Sequence, residues 1–182
     1  MYANGRSIGA TAVGVRADPE SQISAADRAA NFALLKELQA LNGRLTAAVK
    51  AARQVNVQLG AIKKELGDSA KVPAPFRATL DSITKQAAPL KKRFFIVDEA
   101  EETEFTAEVF RAVLPFKLGG LAGNLSGFLA AASVQDLRTL GEVRTEVPAA
   151  IDETNALVAR FTAFVKQLSA AGLYPQMPKP VK

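Results

Sequence analysis

Residues 34–66 read LLKELQALNGRLTAAVKAARQVNVQLGAIKKEL. Within this stretch Leu34, Leu38, Leu41, Leu45, Ala48, Ala52, Val55, Leu59, Ile62 and Leu66 follow one another at spacings of four and three without a miss. That alternation is the buried seam of an α-helix packed lengthwise against other helices. Gly43 and Gly60 fall off the seam, where each is expected to weaken the helix by about 0.5–1 kcal/mol relative to Ala. A seam of this length needs partner helices, because propensity alone does not hold so long a helix in water.

Ser24-Ala25-Ala26-Asp27, just upstream, resembles a capping box with Asp in place of the usual Glu or Gln. The first helix is therefore expected over about 24–66, and Gly67-Asp68 ends it. Pro73 and Pro75 open a second helix, in which Phe76, Leu80, Ile83, Ala87, Leu90, Phe94 and Val97 repeat the same spacing. It is expected over about 75–97, with an extension to about 113 and a kink at Pro89. A third helix is expected over 116–132. A fourth, started by Ser133-Val134-Gln135-Asp136 and striped by Leu140, Val143, Val147, Ile151, Thr154, Val158, Phe161, Val165 and Leu168, is expected over 136–171. Pro148 should bend it.

The flanks differ. In residues 1–19, Asn4-Gly5 is a turn dipeptide, and Thr11, Val13 and Val15 alternate as a short strand does. This segment reads as a β-hairpin arm or the remnant of a preceding β-domain. Residues 20–172 form the helical bundle and 173–182 a Pro-rich tail. The expected fold is all-α: an antiparallel up-down four-helix bundle with long helices and a short N-terminal β-arm.

Composition supports helices and excludes several chemistries. The 182 residues are 48% hydrophobic but only 7% aromatic, and Trp is absent. With no Cys and no His, there is no thiol nucleophile, no disulfide, no Cys/His metal site and no His general base. Net charge is +5, a mild excess that assists contact with an anionic surface without fixing a partner. Lys91, Lys92 and Arg93, with Lys50, Arg53, Lys63 and Lys64, are the candidate contacts for such a surface. The aromatic–basic interleaving of a nucleic-acid reader is missing. A membrane surface stays open as a partner, and nucleic acid is disfavoured.

Two further runs stand out. Asp98, Glu99, Glu101, Glu102, Glu104 and Glu108 form a dense acidic run. A carboxylate metal site lacks the Gly-containing calcium loop and the Glu-x-x-His pattern of a di-iron bundle, so a solvated face is the expectation. Asp98 and Glu102 could approach one another as a glycosidase pair does, but any charged helix offers such pairs. Residues 118–135 carry no charge, and Gly119, Gly123 and Gly127 recur every four residues. This is either a small-residue membrane face or, as expected here, a face that lets a neighbouring helix approach closely.

Short motifs resemble one family. Gly14-Val15-Arg16-Ala17-Asp18-Pro19, Ile23-Ser24-Ala25-Ala26-Asp27 and Asn31-Phe32-Ala33-Leu34-Leu35-Lys36 resemble a junction in bacterial BNR/Asp-box repeat, sortilin-like "glycosyl hydrolase" proteins. Leu114-Pro115-Phe116-Lys117-Leu118 resembles that family's Pro-x-Lys-Leu step. Gly172-Leu173-Tyr174-Pro175 resembles its Gly-Leu-Pro ending, and Asn4-Gly5-Arg6-Ser7 fits the preceding hairpin. The resemblance implies the C-terminal helical region of a larger extracytoplasmic β-propeller protein, in contact with a preceding β-domain or another protein chain. It implies no catalytic residue, cofactor or metal here, since glycosidase chemistry would belong to the propeller. The expected function is a non-catalytic helical accessory or scaffold module. The alternative is a basic helical module binding an anionic surface. Oligomeric state is left open.

Overall fold

A computed structural model describes residues 2–3, 6–7, 9–14, 16, 23–66, 72–96, 106–127 and 130–173. These residues form a helical bundle. Its elements are α1 (Ala25–Leu66), α2 (Ala74–Phe94), α3 (Ala107–Ala112), α4 (Leu114–Gly127) and α5 (Val134–Ala170). The only β pairing among the described residues is a two-residue ladder, Tyr2 with Ser7 and Ala3 with Arg6. Of the expected β-arm, this short ladder is all that the described residues form. Thr11 and Val13 lie in exposed chain outside any strand, since a short strand with no sheet to join gains too little to hold itself.

The seam of α1 lies where its spacing puts it. Leu38, Leu45, Ala48, Ala52, Val55, Leu59, Ile62 and Leu66 are buried, while Leu34 and Leu41 are partly buried against the same core. Ser24 caps α1: its Oγ accepts the Asp27 amide at 3.0 Å and donates to the Asp27 carboxylate at 2.7 Å. On α5 the capping box is complete. Ser133 Oγ accepts the Asp136 N–H at 3.1 Å and the Ser133 N–H donates to Asp136 Oδ2 at 3.0 Å, so α5 begins two residues before the expected 136. Neither internal proline ends its helix, α5 remaining helical past Pro148 and α2 past Pro89. Gly172, at φ 69°, closes α5, with Leu173 N–H donating to the Leu168 carbonyl at 2.9 Å.

The second helix is shorter than expected and has no extension to 113. It ends at Phe94 because Phe95 takes a left-handed conformation, φ 53° and ψ 52°. The Ile96 and Phe95 amides fold back on the carbonyls of Lys91 and Lys92 at 2.9 and 3.3 Å, the closure usually made by Gly. The next break falls at Val113, an extended residue that is buried. Pro115 sits in the first turn of α4, where a missing N–H is harmless.

Side-chain pairs show how the helices lie. Arg93, near the end of α2, bonds Glu153, while Ser82 and Gln86 accept from Arg160; α2 therefore runs opposite to α5. Lys117, at the start of α4, bonds Glu142 and Glu146, and Asn124, near its end, bonds Asp136; α4 also runs opposite to α5. Asn31 reaches Ala130 and Glu37 reaches Arg144, so α1 and α5 start at the same end. Thus α2 and α4 lie in tandem along the α1–α5 pair, one covering each half. Their junction is riveted by the Phe95 and Phe116 rings, 5.3 Å apart, and Phe76 meets Phe164 at 6.5 Å toward the far end. The core runs through α1, α2, α4 and α5: Leu45, Ile83, Leu90, Leu114, Leu118, Val143, Leu157 and Leu168 are almost wholly buried.

Candidate functional site

The chemistry-bearing side chains gather in three places. The first is a belt at the α2–α4 junction. Lys117, the one charged residue of α4, has its side chain only 14% exposed. Its ammonium donates to Glu142 at 3.0 Å and to Glu146 at 2.9 Å. Burial works against the charge, but the bonds to Glu146 and then Glu142 outweigh it and raise the Lys117 pKa above its ordinary value. Arg93 forks onto Glu153 at 2.8 and 2.9 Å, and its second nitrogen donates to the Glu146 carbonyl at 3.4 Å. One acidic flank of α5 thus holds the end of α2 and the start of α4 together. On the opposite flank Arg144 forks onto Glu37 at 2.7 and 2.8 Å. The Arg144 bonds hold the Glu37 carboxyl below its ordinary range.

The second place is the elbow before α5. A shallow pocket of about 370 Å³ is lined by Asn124, Leu125, Ala130, Ser133, Gln135 and Asp136, among others. Bonds from Ser133, then Asn124, lower the Asp136 pKa. Nearby, Asn31 is buried; its Nδ2 donates to the Ala130 carbonyl at 2.8 Å, while its Oδ1 has no partner among the described residues. The elements explain this constellation: the Asp136 carboxylate is spent on capping α5 and tying α4 to it, so the arrangement joins two helices rather than presenting a reactive group.

The third is the outer surface of α1 and α2, where exposed lysines and arginines outnumber acids. Of the expected contacts, Lys50, Arg53, Lys63, Lys64 and Lys92 are exposed and Lys91 is half-buried. Arg93 lies on the flank of α2 that faces α5, where it is engaged by Glu153. Asp98, Glu99, Glu101, Glu102 and Glu104 lie outside the described residues. Among the described residues no group of three or more acids could hold a metal ion, and no helix is long and apolar enough to cross a membrane. The glycine face of α4 is a correction. A methyl group at Gly119, Gly120, Gly123 or Gly127 would meet no atom of a neighbouring element within 4 Å among the described residues. The glycines face away from α1 and α5 because Leu114, Leu118, Leu121 and Leu125 take the buried side.

The Lys117 clamp and Asn31 escape sequence reasoning. A lone Lys between Leu114 and Leu118 is the only signal for the first. Asn31 sits one heptad before Leu38, a polar residue at a core position. Comparison of the chain with protein-family models, with curated proteins and with solved structures finds no match.

Proposed function

We propose that this chain is a non-catalytic contact module: a stiff helical rod that holds a partner protein or domain at the end where α1 and α5 begin. The observation that carries it is the distribution of exposed large apolar side chains. Phe32, Val134 and Leu137 are 64%, 78% and 51% exposed, and all three lie at that end; the one other exposed large apolar side chain on the described helices, Val57 at 65%, stands alone farther along α1. Such exposure near one end of a well-packed bundle marks a contact surface. The expected up-down course of four rods is read here as three rods, with α2 and α4 sharing the third. A β-domain of the kind the resemblance implies would enter at the same end, since residues 9–24 lead into α1.

Photo-crosslinking in the producing cell tests this reading. A photoreactive phenylalanine analogue at Phe32 or Leu137 is expected to give one discrete adduct with another protein or domain. The same analogue at Lys166, exposed on α5 far from that end, is expected to give none. Absence of adducts from both Phe32 and Leu137, or equal labelling from Lys166, overturns the reading.

A further inference from the structure

We infer that the outer face of the α1–α2 pair is a docking surface for an anionic lipid bilayer. The Glu37–Arg144 bonds fix the flank of α1 that faces α5. The heptad then turns Lys63 and Arg53 toward α2, with Lys50 and Lys64 pointing outward. On α2 the bonds of Gln86 and Arg93 to α5 residues fix the corresponding flank, which leaves Lys85 and Lys92 pointing outward. All six cations are exposed. None of the six forms an ion pair among the described residues. The described acid on the same sector is Asp81; Glu65 falls on the flank of α1 that faces α5. From Lys50 to Lys64 the face extends roughly 20 Å along the helices.

Shape selects the partner. The face is convex and spans two helices, roughly 20 Å across. It is too broad to enter a duplex major groove of about 12 Å, and neither helix stands proud to do so alone. No exposed aromatic side chain lies on the described part of this face to stack single-stranded bases. A flat surface of fixed negative charge meets all these requirements. Lysine ammonium groups on long stems reach it as point charges, and each basic side chain near such a surface strengthens binding about fivefold. This inference goes beyond the contact-module reading and stands or falls separately, since it concerns a different face of the rod.

The test is co-sedimentation with vesicles of phosphatidylcholine alone and of phosphatidylcholine with about 30% phosphatidylserine, beside a short DNA duplex. Binding to the mixed vesicles at about 50 mM salt, loss by about 300 mM and none to phosphatidylcholine alone are expected. The double variant Lys50→Glu/Lys85→Glu is expected to weaken binding by about tenfold or more, and Arg138→Glu/Lys166→Glu, with the same change of net charge, by no more than about threefold. All four positions are exposed, so both variants are expected to melt like the parent. Equal weakening by the two variants, no binding to mixed vesicles at low salt, or tighter binding to the duplex than to the vesicles overturns the inference.

Discussion

Lys117 carries more of the molecule's organisation than any other charged residue, because it joins the half-length α4 to α5 where α2 has just ended. Its charge-assisted bonds to Glu142 and Glu146 lie in a partly dry site, so Lys117→Ala is expected to reduce unfolding free energy by about 1–2 kcal/mol. Chemical denaturation measures this. Arg144→Ala, on a solvated pair, should change stability less. The bonds also set a pH dependence. Asp136 and Glu37 have pKa values lowered on folding, so the stability they add is present above their ordinary values of 3.8 and 4.5 and is lost as pH falls through the folded ones. Lys117, raised above 10.5, acts in the opposite sense: its contribution is complete below that value and lost as pH rises through the folded one. A stability profile flat from neutral pH down to about pH 3 would contradict the Asp136 and Glu37 bonds. At the seam, Leu45→Asp places an unpaired charge at a position 1% exposed, and loss of cooperative melting is expected. The seam residues were legible from the sequence because a four-three pattern has one physical solution. Asn31 and Lys117 were not, because a polar residue at a core-facing position takes its partners from ninety-nine or twenty-five residues away, which no local pattern encodes.

Helix starts were easier to read than helix ends. Ser24 and Ser133 announce α1 and α5 through their own side chains, so the residues that make the cap also mark it. The end of α2 gives no such sign. Lys-Lys-Arg-Phe-Phe over 91–95 has no Gly, yet Phe95 turns left-handed, held by its ring against Phe116. Strain of this kind is compensated by tertiary packing and is invisible to propensity. Phe116→Ala is therefore expected to remove that support and lower the melting temperature. The glycines of α4 make the reverse case. They sit in a helix with open space beside them, and four-residue spacing invited the reading of a close helix neighbour that is not there. Gly123→Ala is expected to raise stability by about 0.5–1 kcal/mol, read in the same denaturation experiment. A loss instead would mean that a helix or partner does occupy that side.

At the scale of the whole molecule the all-helical class and the long first and last helices follow from periodicity, but their relative directions do not. Four apolar stripes are compatible with several bundles, and the choice is made by which flank of each stripe carries the matching charge: Glu37 for Arg144, Glu153 for Arg93, Glu142 and Glu146 for Lys117. These pairs set α1 and α5 side by side in the same direction, with α2 and α4 closing the third side in turn. A rod of 42 residues is about 60 Å long, which gives the molecule two well-separated ends and places Phe32, Val134 and Leu137 at one of them. The cysteine-free chain lends itself to a direct test by pulsed electron spin resonance on double-cysteine labels. Labels at Ala33 and Arg138 are expected about 20 Å apart, and labels at Ala61 and Arg138 about 45 Å apart, from helix spacing and rise. The reverse order of distances would mean that α1 and α5 run in opposite directions, and the split-rod bundle would be wrong.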